Sequence, residues 1–149
     1  MPTKPRLPRG IRNNNPLNIR LSSNKWQGSI IPSTDSEFEQ FTSVEYGIRA
    51  AFIILRTYIR RHGVKNITQL ICRYAPANEN DVLAYVNRVC DLSKTSLNEP
   101  LRFERRLQMC TILWAMHVVE CGRSYYSLPI FLNVYDKYFY VPPRLSNPS

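Results

Sequence analysis

Beyond residue 42, apolar residues recur every three or four positions, and that spacing predicts helices. Val44, Ile48, Ala51, Phe52, Leu55 and Ile59 form one stripe, which stops at His62-Gly63. Ahead of it, Thr42-Ser-Val-Glu45 fits a capping box in which Glu45 reaches back to the Thr42 amide. Asn66 caps a short helix bearing Ile67, Leu70 and Ile71, closed by Ala75-Pro76. A third helix follows Asn78 or Asn80, with Val82, Tyr85, Val86 and Val89 inward. Asn98-Glu-Pro then opens a long helix carrying Phe103, Leu107, Cys110, Trp114, His117, Val118 and Cys121 on one face. A last helix runs from Ser127 through Tyr138, with Pro129 tolerated in its first turn.

Before residue 42 the pattern changes. Gly10-Ile-Arg-Asn-Asn-Asn-Pro-Leu-Asn-Ile-Arg20 is turn-rich, and its Asn side chains can bond their own backbone. Lys25–Ile31 and Glu37–Phe41 bracket the Pro32-Ser-Thr-Asp-Ser36 turn as a small hairpin, Phe38 and Phe41 departing from strict alternation. The expected fold is therefore mainly α (α+β), a helical domain over 10–141 with one small β-hairpin. Residues 1–9 read as a flexible basic arm and 142–149 as a Pro-rich tail.

The helical pattern contains one awkward carboxylate. Glu120 follows the nearly all-apolar run Leu107–Val119, and Gly122 two residues later marks a left-handed stop. Burial and the negative end of the helix dipole both disfavour an ionised side chain there, so its pKa should rise. A carboxylic acid still protonated near neutral pH suits general acid catalysis. The plain alternative is a Glu that reaches solvent where the helix emerges. One turn earlier, His117 reads as a packed core histidine rather than a proton shuttle.

Composition narrows the partners. The chain has 149 residues and a formal charge of +9, from 20 Lys and Arg against 11 acids. Such a surplus favours an anionic partner: nucleic acid, anionic lipid or the polymers of a bacterial envelope. Basic residues cluster at Arg56, Arg60, Arg61 and His62, and again at Arg102, Arg105 and Arg106; runs of this kind are usually solvated faces. No nucleic-acid module is recognisable. No apolar span or export signal is evident, which argues against a membrane span and for synthesis in the cytoplasm. Cys72, Cys90, Cys110 and Cys121 form no C-x-x-C pair, so neither a zinc site nor a cofactor is expected.

The segment Gly10–Arg20, then Trp26-x-Gly28, then Phe38-x-x-Phe41-x-Ser43-x-Glu45-x-Gly47-Ile-x-Ala50, resembles a family of phage-type virion and lysozyme-like proteins that begin with a GIRNNNPGNIR-like run. The same order of features is similar to the latter part of bacterial glucosaminidase domains, including Arg73-Tyr-Ala-Pro-Ala-Asn-Glu-Asn80 and Tyr85-Val-x-x-Val89. In glucosaminidases and lytic transglycosylases the helix bearing the catalytic Glu precedes the Asn-rich loop. Here nothing before Gly10 can form it, whereas Ala115-Met-His-Val-Val-Glu120-Cys-Gly122 matches it near the opposite end. The resemblance therefore implies a circularly permuted lysozyme-like domain in which Glu120 lies beside the Asn loop. Leu17 stands where the family run has Gly, and Cys121 where a smaller or more polar residue is common.

What the resemblance implies is cleavage of peptidoglycan glycan strands at the bacterial envelope, reached through a virion, a lysis pore or a secretion system. Glu120 would protonate the leaving oxygen, and Asp35, Glu37 or Glu39 would supply a second carboxylate if one acts. Each of these acids otherwise reads as a solvated turn or strand acid. A lytic transglycosylase needs no second acid, and the residues leave the two routes open. Asn14, Asn15 and Asn18 would bind sugar hydroxyl and acetamido groups, with loop-building turns as their alternative. Tyr74, Trp26 and Tyr125 would border the substrate, packing being the alternative for each. Competing expectations are a degenerate structural protein that holds glycan without cutting it, or a basic nucleic-acid-binding protein.

Overall fold

A computed structural model describes residues 6–75 and 78–142. It is mainly helical: α1 (Arg9–Arg12), α2 (Val44–Arg61), α3 (Ile67–Tyr74), α4 (Glu79–Ser93), α5 (Arg106–Cys121) and α6 (Leu128–Tyr138). Most of the arm, Pro76 of the expected helix stop, and residues 143–149 of the expected tail lie outside the described residues.

Helix α5 is the hub. It packs against α4 and α6 and touches α1 and α2, while α3 rests on α4 and α2 on α6. Its apolar residues surround the helix rather than forming a stripe, and Met109, Ile112, Leu113, Ala115 and Met116 are fully buried. Several stops and starts fall where the side chains dictate. Asn66 accepts from the Gln69 amide at 2.9 Å and Asn78 from the Asp81 amide at 3.0 Å. Gly122 ends α5 at φ 89°, where its amide bonds the Val118 carbonyl at 2.9 Å.

Three local expectations are corrected. The capping box does not form, because the Thr42 amide donates to the Gly28 carbonyl at 2.8 Å. Glu45 has no free amide to reach and pairs instead with Lys137, also at 2.8 Å. The long helix starts at Arg106 rather than near Asn98. Leu101 is buried with its amide on the Lys65 carbonyl (2.9 Å), and the Gln108 side chain accepts from Arg102 and donates to Pro100. Those bonds hold 100–105 in a turn that helical geometry cannot satisfy.

The hairpin, finally, is reduced to two isolated antiparallel bridges, Arg20–Phe38 and Ser29–Phe41. Residues 37–41 run between two neighbours: Glu39 donates to Ile19, and Ile30 donates to Gln40. A longer ladder is interrupted by the Asn loop, since the Phe41 amide bonds Asn13 and the Glu39 carbonyl receives the Asn15 side chain. Among the described residues no helix is long and apolar enough to cross a membrane.

Candidate functional site

The loop Asn13–Ile19 is held by hydrogen bonds of its own side chains. Asn15 is fully buried and bridges the loop, donating to the Ile19 and Glu39 carbonyls at 2.9 and 3.0 Å and accepting from the Ile19 amide. Asn14 and Asn18 take the left-handed backbone, each at φ 53°, a conformation Asn tolerates better than most residues. The Asn14 side chain donates to the Phe41 carbonyl. Gly47 of α2 lies so close to the Asn14 carbonyl that a methyl group would overlap it. Asn14 and Asn15 therefore spend their side chains on the fold, and neither lines the cleft described below. Leu17 is fully buried core, and the positive φ falls at its neighbour Asn18, so Leu in place of Gly strains nothing.

Two helix ends close on this loop. Cys121 donates its thiol to the Pro16 carbonyl at 3.3 Å, pinning the last turn of α5. The Tyr74 hydroxyl of α3 donates to the Leu17 carbonyl. Between them opens a cleft of about 550 Å³, walled by the loop (Asn18, Ile19, Arg20), by Ser22, Asn24, Trp26 and Phe38, by Ile54, Thr57 and Tyr58 of α2, and by Tyr74 and Glu120.

Glu120 is half buried at the floor of that cleft and accepts from Asn18 Nδ2 at 2.9 Å. Burial pushes its pKa above the ordinary carboxylate value, while Asn18, Tyr85 and the charge of Arg20 pull the other way without cancelling it. The Tyr85 hydroxyl of α4 is buried, without a partner in hydrogen-bond geometry, and near enough to Glu120 for each to shift the other. The result is a carboxyl group that holds its proton more tightly than an ordinary Glu does and faces an open, aromatic-sided groove.

The other acids are placed differently. Asp35 is gripped by Arg9 through two contacts of 2.6 Å, accepts from Asn13 at 3.0 Å, and receives the Glu37 and Phe38 amides. The Arg9 guanidinium holds its pKa well below the usual range, as a loop-binding carboxylate. Glu37 is exposed and pairs with Arg9 and Arg20. Glu39 is buried, which raises its pKa, but it does not line the cleft. Among the described residues Glu120 is the one carboxylate in the cleft wall.

Of the proposed binding residues, Asn18, Trp26 and Tyr74 line the cleft; Asn14, Asn15 and Tyr125 do not. Trp26 presents a buried Nε1 with no acceptor among the described residues. Tyr74 has its proton committed to Leu17, so its ring is what it offers the cleft. Tyr125 sits in the α5–α6 turn under Arg123, its amide donating to His117 Nε2 at 3.2 Å. His117 is fully buried; its Nδ1 lies 2.6 Å from the Trp114 carbonyl, and burial lowers its pKa. It staples that turn as a neutral ring. Tyr58, Thr57 and Ile54 also line the cleft, and the one sequence signal for them is their three- and four-residue spacing beside the core stripe of α2.

No protein-family model matches the chain. Protein P5 of Pseudoalteromonas phage PM2 is 38% identical to it over 122 residues, which cover 80% of this chain and 74% of that protein.

Proposed function

We infer, for a chain that belongs to the family of Protein P5 of Pseudoalteromonas phage PM2, that it cleaves peptidoglycan glycan strands with Glu120 as general acid. The observation carrying this reading is the meeting of Glu120 with Asn18 at the floor of an open cleft, across 102 residues of sequence. That juxtaposition is what a permuted lysozyme-like domain requires. It also fits the phage relationship, since the wall is an obstacle every phage of a walled host must cross.

The cleft favours the one-acid route. Glu120 protonates the glycosidic oxygen as positive charge grows at the anomeric carbon, and the substrate's own acetamido oxygen stabilises that carbon. The ionised Glu120 then takes the proton of the sugar 6-hydroxyl, whose oxygen attacks the anomeric carbon and closes an anhydro ring. Proton donor and acceptor are the same group, so no second carboxylate is consumed. Asn18 keeps the carboxyl oriented through both halves. Trp26 lines the cleft with an indole suited to stacking on a pyranose ring, while the Phe38 ring lies under Arg9 and Arg20 and that of Tyr58 under Arg73.

The test is incubation of purified protein with peptidoglycan, followed by mass analysis of the soluble fragments. Anhydro-ended fragments support the one-acid route, hydrated reducing ends a hydrolase. Retention on peptidoglycan with no fragments released is the outcome expected of a structural component that holds glycan without cutting it.

A further inference from the structure

Away from the cleft, helix α2 carries a second set of side chains with no role in the chemistry above. Arg49, Arg56 and Arg60 lie roughly 130° around the helix from Ile54, Thr57 and Tyr58, at 100° per residue. Each guanidinium is laid on an aromatic ring. Arg49 stacks 5.2 Å from Tyr138, Arg56 lies 5.3 Å from Phe139 and 5.7 Å from Phe103, and Arg60 lies 5.4 Å from Phe103. Phe103 and Phe139 are themselves in edge contact at 5.4 Å, so α2, the 100–105 turn and the end of α6 share one platform. The turn adds Arg102, which shares the field of Glu104 with Arg60. Two basic clusters that are separate in sequence thus become one strip.

The charges in this strip are not balanced. Four arginines face one carboxylate, Glu104, which bonds Arg60 at 2.8 Å. The neighbouring acids are already committed, Asp136 to Arg106 and Glu45 to Lys137. Among the described residues Arg49, Arg56 and Arg102 form no ion pair, and Arg49 Nε is buried without a partner. Burial and the charges of Arg60 and Arg49 lower the pKa of Arg56, so the free protein holds these cations against their mutual repulsion. Stacking fixes the guanidinium planes and preserves their donors for an incoming anion.

We propose that the Arg49–Arg56–Arg60–Arg102 strip binds the phosphate backbone of duplex nucleic acid without reading its sequence. The arrangement is linear: seven and then four residues along α2 span about 16 Å at 1.5 Å per residue. That length covers about five nucleotide steps at 3.4 Å each. A row of fixed cations matches a row of phosphates, whereas a lipid surface spreads its charge over a plane. Because the strip and the cleft use different faces, binding here stands or falls independently of glycan cleavage.

The experiment is fluorescence anisotropy of the full chain with a labelled duplex of about 20 base pairs, titrated between 50 and 200 mM salt. Four phosphate contacts predict a roughly 150-fold loss of affinity over that range. The combined Arg49→Gln, Arg56→Gln and Arg60→Gln variant should lose affinity at low salt and most of this salt dependence, while Glu120→Gln should bind as the wild type does. Should the triple variant fail to fold, Arg60→Gln with Arg102→Gln removes two exposed cations and should cut the salt dependence by about two contacts' worth. Wild-type protein with no salt-sensitive binding, or variants that bind as well as it does, would overturn the proposal. So would tighter binding to phosphatidylglycerol vesicles than to the duplex, lost in the same variants.

Discussion

Asn18 Nδ2 and the Glu120 carboxyl meet at 2.9 Å, joining a left-handed loop residue near one end of the chain to the last turn of the most buried helix. The contact depends on both ends being pinned: Cys121 holds α5 to Pro16, and Asn15 holds the loop to the 37–41 segment. It places the carboxyl where water and a polysaccharide can reach it while most of its surroundings remain protein.

A first consequence concerns stability and pH. Glu120 has a raised pKa in the folded protein, so the folded state binds the proton more tightly than the unfolded chain does. Its effect is therefore a loss of stability as pH climbs from the ordinary Glu range through the folded value. Glu120→Gln should be more stable than wild type at pH 7, and the gap should close below pH 4. Thermal melts across pH check this; equal melting temperatures at pH 7 would contradict a raised pKa.

Tyr85 favours the ionised form of Glu120. Tyr85→Phe should raise the Glu120 pKa further and move the alkaline limb of the cleavage profile to higher pH. Since the removed hydroxyl lacks a good partner, stability should change little. An unmoved pH profile would show that the two groups are not coupled.

Gly47 is a packing prediction. A methyl group there would overlap the Asn14 carbonyl and displace the loop that carries Asn18. Gly47→Ala should cost about 1–3 kcal/mol in denaturant unfolding, with glycan cleavage reduced at temperatures where the protein remains folded.

Asp35 separates structure from chemistry. Its depressed pKa means its stabilisation is present above the ordinary Asp range and is lost as pH falls through the folded value. Asp35→Asn should lower the melting temperature at pH 7 and leave the pH dependence of cleavage in place. A variant that melts normally but is inactive would return Asp35 to the reaction.

Much of this was legible in the chain. The cap residues Asn66 and Asn78, the Gly122 stop and the apolar girth of α5 are local signals, and each carries its own physics. Competition was not legible. Glu45 looks like a capping residue until the Gly28 carbonyl takes the Thr42 amide, and Leu101 looks helical until Lys65 takes its own. Asn14, Asn15 and Asn18 are alike in sequence; only the tertiary structure turns the first two into braces and leaves the third facing Glu120. The arginine strip was likewise hidden, because its platform is assembled from three segments.

The most direct test remains fragment release from peptidoglycan by wild-type protein and by Glu120→Gln, whose amide oxygen can still accept from Asn18. Wild type should release soluble anhydro-ended fragments, and Glu120→Gln should retain the fold and lose the release by at least about a hundredfold, the scale of a general acid. Equal release by the two proteins would contradict the central claim.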